Sequence, residues 1–243
     1  MRTHYTLLIG LLLALGGWHQ AAAQTETLLL QDPTVHGNTV VFVYADNLYR
    51  TTTDGGTAIQ LTTAEGFETR PRLSPDGKWL AFTGQYDGNT DVFVVEATGG
   101  TPRRLTFHPA ADVVEGWSAD GRSILFRSAR HTTTRGYSQL FTIALTGEAL
   151  PTQLPLPYGE RASYSPDGKQ LAYLQIREAW DSWKRYRGGM TDPIRIVDLA
   201  SLATQEIPGA DVNNSYPVWL PTGIFFLSDR EGIMNVYHYD PAT

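Results

Sequence analysis

The 243 residues include no cysteine. That absence removes disulfides, thiolate metal sites and an N-terminal lipid-bearing cysteine. Histidine is thin: His4 and His19 sit near the start, and His36, His108, His131 and His238 are scattered singly. No two share the H-x-x-x-H or H-E-x-x-H spacing that turns two imidazoles onto one metal. No acidic loop follows the D-x-[DN]-x-[DN]-G order of a calcium site, and no glycine-rich loop opens a helix to cradle a phosphate. Neither a metal nor a cofactor is expected. Positive charge is also short, with 19 Lys and Arg against 25 Asp and Glu and a net charge of −6. Without clustered cations the chain is a poor partner for nucleic acid or an anionic membrane surface.

Long apolar runs are missing except at the start. Arg2 gives a short positive region, Thr6 to Leu15 an apolar core, and Ala21-Ala22-Ala23 a run of small residues before Gln24. Residues 1–23 therefore read as a secretory signal, too short in its apolar part to span a bilayer comfortably. The expected mature chain, residues 24–243, has a charge of about −7. It should lie in the periplasm or outside the cell, with no membrane insertion after cleavage.

What fills the chain is a repeat. Ser74-Pro75-Asp76-Gly77-Lys78, Ser118-Ala119-Asp120-Gly121-Arg122 and Ser165-Pro166-Asp167-Gly168-Lys169 are nearly the same turn. Looser copies stand at His36-Gly37-Asn38 and Leu220-Pro221-Thr222-Gly223. Glycines 37, 77, 121, 168 and 223 are 40, 44, 47 and 55 residues apart, the period of a four-stranded propeller blade. Pro presets φ, Asp bonds its own backbone and Gly accepts positive φ, so Asp76-Gly77, Asp120-Gly121 and Asp167-Gly168 read as structural hairpin corners. A bulky residue precedes each corner (Leu73, Trp117, Tyr164, Trp219), and an apolar run such as Leu80-Ala81-Phe82 or Ile124-Leu125-Phe126 follows it. A third run comes next, as at Val92 to Val95 and Leu140 to Ile143, then a weaker fourth strand, as at Ile59 to Thr62 and Arg103 to Thr106.

Four strands per unit, apolar on both faces, fit sheets stacked around an axis. The fold class expected is all-β, a β-propeller of four-stranded blades. Blades are placed near residues 34–63, 67–107, 112–155, 160–208 and 213–243, the fifth stopping after its third strand. A β-sandwich does not predict one four-part order recurring five times.

Catalytic chemistry finds no footing. Gly116-Trp117-Ser118-Ala119-Asp120 has Asp120 where a nucleophile elbow needs Gly, and Ser118 aligns with the corner residues Ser74 and Ser165. The feature that breaks the repeat is the segment between the second and third strands. It grows from 6 residues (Phe42 to Leu48) through 10 and 14 to 21 (Tyr173 to Ile194). The longest carries Trp180, Trp183, Lys184, Arg185, Tyr186 and Arg187. This set reads either as a recognition surface acting by stacking and cation–π contact, or as a cap on the blade with solvated cations.

The S-P-D-G corners, the L-A-F runs and the T-G-G-T-P-R-R-L-T stretch at residues 98–106 resemble the PD40/WD40-like repeats of TolB and other exported propellers. Trp183-Lys184-Arg185-Tyr186-Arg187-Gly188-Gly189, Phe226 to Gly232 and Asn235-Val236-Tyr237 resemble the N-terminal propeller of tricorn proteases. The resemblance covers residues 28–243. It implies a six-bladed propeller followed by a seven-bladed one, a PDZ domain and a serine-peptidase domain holding the catalytic Ser and His, so no catalytic residue falls on this chain. The role implied is gating, peptide binding or assembly. Partners would be a peptide or protein substrate or the remaining domains of the same polypeptide, with homo-oligomerisation left open. The alternatives are a TolB-like periplasmic interaction module and the propeller of a prolyl-oligopeptidase-type exopeptidase.

Overall fold

At Ser74 the chain reverses through a corner shaped by local bonds. The Ser74 hydroxyl donates to Asp76 Oδ1 at 2.6 Å and accepts from the Trp79 N–H at 2.9 Å, while the Lys78 N–H donates to the same carboxylate at 3.1 Å. Gly77 takes φ +70° so that its N–H meets the Ser74 carbonyl at 2.9 Å. The same bonds recur at Ser118–Asp120 and Ser165–Asp167, with Gly121 at φ +69° and Gly168 at φ +72°. In each copy the serine hydroxyl and the following backbone N–H hold the aspartate below the usual carboxylate range.

The computed structural model describes residues 29–133, 136–177, 179, 182–209 and 211–241. The expected signal at residues 1–23 lies outside them. The described residues form five antiparallel sheets in chain order. The first is β1 (Gln31–His36), β2 (Thr39–Tyr44), β3 (Asn47–Thr52) and β4 (Gly55–Gln60). The second is β5 (Phe67–Leu73), β6 (Trp79–Tyr86), β7 (Asn89–Glu96) and β8 (Arg103–Arg104). The third is β9 (Asp112–Trp117), β10 (Ser123–Ser128), β11 (Gln139–Ala144) and β12 (Thr152–Gln153). The fourth is β13 (Ala162–Tyr164), β14 (Gln170–Tyr173), β15 (Arg195–Asp198) and β16 (Thr204–Glu206). The fifth has three strands, β17 (Asn214–Leu220), β18 (Gly223–Ser228) and β19 (Asn235–Tyr239). The chain is a β-propeller built of these sheets.

The core lies between blades. Val41, Val43, Leu48 and Leu61 of the first pack on Leu80, Phe82, Phe93 and Val95 of the second. Ala81, Val92 and Val94 on the other face of the second meet Val114, Ile124, Phe126 and Phe141 of the third. Leu125 and Leu140 then meet Leu171, Tyr173 and Val197, and Ala172, Ile194 and Ile196 meet Ile224 and Phe226. Each Val, Leu, Ile or Phe among them contributes about 1.5–3 kcal/mol on burial. A strand apolar on alternate residues could serve one interface only, so the continuous apolar runs seen in the sequence are what a two-sided blade needs. The weak fourth strands are pinned by one apolar residue just past their ends. Leu61, Leu105 and Leu154 each donate a backbone N–H to the third strand, to Leu48, Val92 and Leu140, and Ile207 donates to Ile194 just before β15.

Two sheet faces have no neighbouring blade among the described residues. On the first blade Val35, Phe42, Tyr44 and Tyr49 share one, with Val35 57% exposed. On the fifth, Val218, Phe225, Leu227 and Val236 share the other, with Val236 68% exposed.

Candidate functional site

The first strand of every sheet is its inner edge: β1, β5, β9, β13 and β17 pack side by side around a central cavity of about 890 Å³. The corners line one end. At the other end four of the inner strands carry a β-bulge, between Gln31 and Thr34, Thr69 and Arg72, Val114 and Gly116, and Ser215 and Val218. A bulge adds a residue and re-aims its side chain. Asp32, Arg70 and Tyr216 stand at three bulges with φ of +47°, +53° and +52°, each followed by proline. Positive φ in a non-glycine residue costs of order 1–3 kcal/mol and clusters at functional sites. Glu115 is the extra residue of the fourth bulge, and Arg161 enters β13 directly. Each blade thus supplies one side chain to the same mouth.

These five side chains converge. The Arg70 N–H donates to Asp32 Oδ2 at 3.1 Å, and its guanidinium donates to Glu115 at 3.3 Å. Glu115 also accepts from Arg127 Nε at 2.7 Å, and Arg127 donates onward to Glu160 at 2.7 Å. Arg161 donates to the Tyr216 hydroxyl at 3.1 Å and lies 4.3 Å from its ring centroid, with Arg70 6.0 Å from the same ring. Arg70, Glu115, Glu160 and Arg161 are buried, while Tyr216 is 38% exposed. The collar joins alternating charges across blades two, three and four and offers a ring to the opening. Deeper in, Tyr164 lines the cavity, and burial pushes its hydroxyl up to about 12. No sequence motif pointed to this collar. Its only trace is the residue-before-proline pattern at Asp32-Pro33, Arg70-Pro71 and Tyr216-Pro217, five to seven positions before a corner glycine.

The residues singled out in the sequence lie on the β14–β15 connection. Trp180 is outside the described residues. Trp183 is 57% exposed and stacks on Tyr186 with ring centroids 5.9 Å apart. Lys184 and Arg185 are exposed beside it, Arg185 at φ +59°. Arg187 turns away and donates to Asp229 Oδ2 at 2.8 Å and to the Asp229 carbonyl at 3.2 Å in the fifth blade. The Asn213 side chain holds the Tyr186 carbonyl at 2.9 Å and Asp229 at 2.7 Å. Burial raises the Asp229 carboxyl, but the bonds from Arg187 and Asn213 bring it below the usual carboxylate range. The loop is a strap onto the fifth blade that leaves Trp183, Lys184 and Arg185 free to touch a partner. Asn213 precedes Tyr216 by three residues, so strap and collar stand at the same end of the propeller.

Ser118 spends its hydroxyl on Asp120 and the Ser123 backbone, in a strand–turn–strand setting. His36, His131 and His238 each bond a different partner, Pro75, Gln153 and Thr222 respectively. Among the described residues no three His, Cys, Asp or Glu side chains group to hold a metal ion, and no helix is long and apolar enough to cross a membrane.

A family model described as the tricorn protease N-terminal β-propeller domain matches residues 27–243. This chain belongs to that family. Tricorn protease homolog 1 of Streptomyces coelicolor is 34% identical over 215 residues, 86% of this chain and 19% of that protein. The tricorn protease homolog of Saccharolobus solfataricus is 24% identical, again over 86% of this chain and 19% of its own length. The tricorn propeller described here therefore spans about a fifth of the length of these relatives. In structure it resembles the crystal structure of the tricorn protease, with a TM-score of 0.77 at 22% identity over 88% of this chain and 21% of that one. TolB from Acinetobacter baumannii shares the fold, with a TM-score of 0.58 at 18% identity over 82% and 51% of the two chains.

Proposed function

We propose that this propeller is the non-catalytic portion of an exported tricorn-like serine peptidase, acting outside the cytoplasm to admit or hold peptide while another segment does the chemistry. The observation that carries the reading is the cavity with its collar: five inner strands around about 890 Å³, within the usual range of ligand sites, with one side chain per blade at one mouth, four of them set at bulges. Buried ion pairs with good hydrogen bonding keep such a mouth fixed in shape. Membership of the tricorn propeller family supports a peptide as the occupant.

The test is fluorescence anisotropy with labelled mixed-sequence octapeptides. The chain should bind them without cleaving them, and Tyr216→Ala should weaken binding by about tenfold, as loss of one aromatic anchor does. Binding untouched by Tyr216→Ala would sink the cavity as the site.

A second reading is a TolB-like interaction module that docks another protein or another domain. The exposed Trp183, with Lys184 and Arg185 beside it, favours that reading. Under it, Trp183→Ala with Lys184→Ala removes capture of an envelope protein while peptide binding by the cavity is unchanged. That pair of substitutions leaves the Arg187–Asp229 strap in place.

A further inference from the structure

The inner strands are sheet edges. An edge ordinarily offers free N–H and C=O groups to any extended chain that comes alongside, and peptides are commonly gripped that way. Four of the five, β1, β5, β9 and β17, are blunted. Pro33, Pro71 and Pro217 sit within the bulges and have no N–H to give. Groups beside them are already taken. The Arg70 N–H bonds Asp32 at 3.1 Å, the Leu73 N–H bonds Thr34 at 3.2 Å, the Val114 N–H bonds Thr83 at 2.8 Å and the Trp219 N–H bonds Ser163 at 2.9 Å. On the acceptor side, the Arg72 carbonyl takes the Trp117 indole at 2.8 Å and the Glu115 carbonyl takes Arg72 Nε at 3.1 Å. Every one of these bonds runs from one blade to its neighbour.

We infer that the cavity reads a polypeptide by its side chains alone and is built so that a chain within it is not added as a further β-strand. The inference rests on the peptide-binding reading above and names how that site recognises its ligand. The collar supplies guanidinium, carboxylate and ring surfaces. The walls supply prolines and backbone groups whose hydrogen bonds are spent between blades. A peptide held in this way is sorted by side-chain charge and aromaticity, and it slides because no main-chain ladder fixes its register.

The experiment compares a fluorescein-labelled octapeptide of Glu, Lys and Tyr with the same sequence N-methylated at alternate residues, which removes main-chain donors and blocks strand pairing. The whole chain should bind both within about twofold, because a ladder of several main-chain bonds would be worth tenfold or more. A tenfold or greater loss on N-methylation overturns the inference and leaves the peptide reading standing. No binding of the unmethylated peptide removes the peptide reading itself. In a second arm, Pro71→Ala returns an N–H to one edge, and the unmethylated peptide should then gain over the N-methylated one by about twofold or more. An equal response of the two peptides to Pro71→Ala also overturns the inference.

Discussion

Arg187 reaches from the longest loop of the fourth blade to Asp229 of the fifth, with 2.8 Å between guanidinium and carboxylate. The Asp229 side chain is fully buried while that of Arg187 is 42% exposed, so the carboxylate depends on the strap more than the strap depends on it. Arg187→Ala should cost about 1–2 kcal/mol, the loss of a charged hydrogen bond discounted for solvent around the arginine. It should also speed tryptic cleavage near Lys184 and Arg185. Urea unfolding and timed proteolysis check the two effects, and a variant as resistant as the parent would show that the strap is held by other contacts.

Acid should loosen the fold by a predictable route. Asp76, Asp120, Asp167 and Asp229 all titrate below the ordinary carboxylate range in the folded chain. A depressed folded pKa gives stability that is complete above the unfolded value, near pH 4, and is lost as pH falls through the folded values. Melting temperature should therefore be flat down to about pH 5 and fall below pH 4. Asp120→Asn should melt earlier than the parent at pH 7, and the gap should close on acidification.

Glu115 is the hinge of the collar because two guanidiniums share it. Glu115→Ala takes a carboxylate acceptor from Arg70 and from Arg127 at once. Removing one partner from a buried ionic network costs about 3 kcal/mol or more. Glu115→Gln, which keeps a carbonyl acceptor, should lose less than half of that. Denaturant midpoints for the two variants give the comparison.

Corner glycines should differ in cost although all take positive φ. A Cβ on Gly77 would collide with the His36 ring, whereas one on Gly37 meets open space. Gly37→Ala should cost about 1–2 kcal/mol for the backbone alone. Gly77→Ala should cost that and more, because it also dislodges the His36 bond to Pro75. Equal losses would mean that His36 moves freely.

The two uncovered sheet faces should make this chain sticky. Contiguous exposed apolar residues favour association, so light scattering should report concentration-dependent growth. Val35→Lys with Val236→Lys should suppress it with little change in unfolding midpoint. Persistence of the aggregates would move attention to the β19 edge.

The corners were legible because their bonds span two to five residues: Ser, Asp and Gly in order carry the whole geometry of Ser74 to Trp79. The strands were legible because blades need apolar residues on both faces, which leaves unbroken runs such as Val92 to Val95. The collar was not legible. Asp32, Arg70, Glu115, Arg161 and Tyr216 are not one residue type recurring at one repeat position, and a bulge shifts which residue faces the axis without any mark in residue type. Only the prolines after three of them leave a trace. The long loop was visible as an interruption of the repeat, but the different duties of Trp183 and Arg187 were not. The partner of Arg187 lies 42 positions away, a distance that no local pattern spans.

Because every hydrophobic cluster is shared by two blades, one blade alone is a sheet with water on both sides. Order must begin with a docked pair and grow by addition, and cohesion is a property of contacts between repeats. The first and fifth blades each have a single described neighbour, so amide exchange should be fastest there and slowest around Phe126, where the third blade is clasped from both sides.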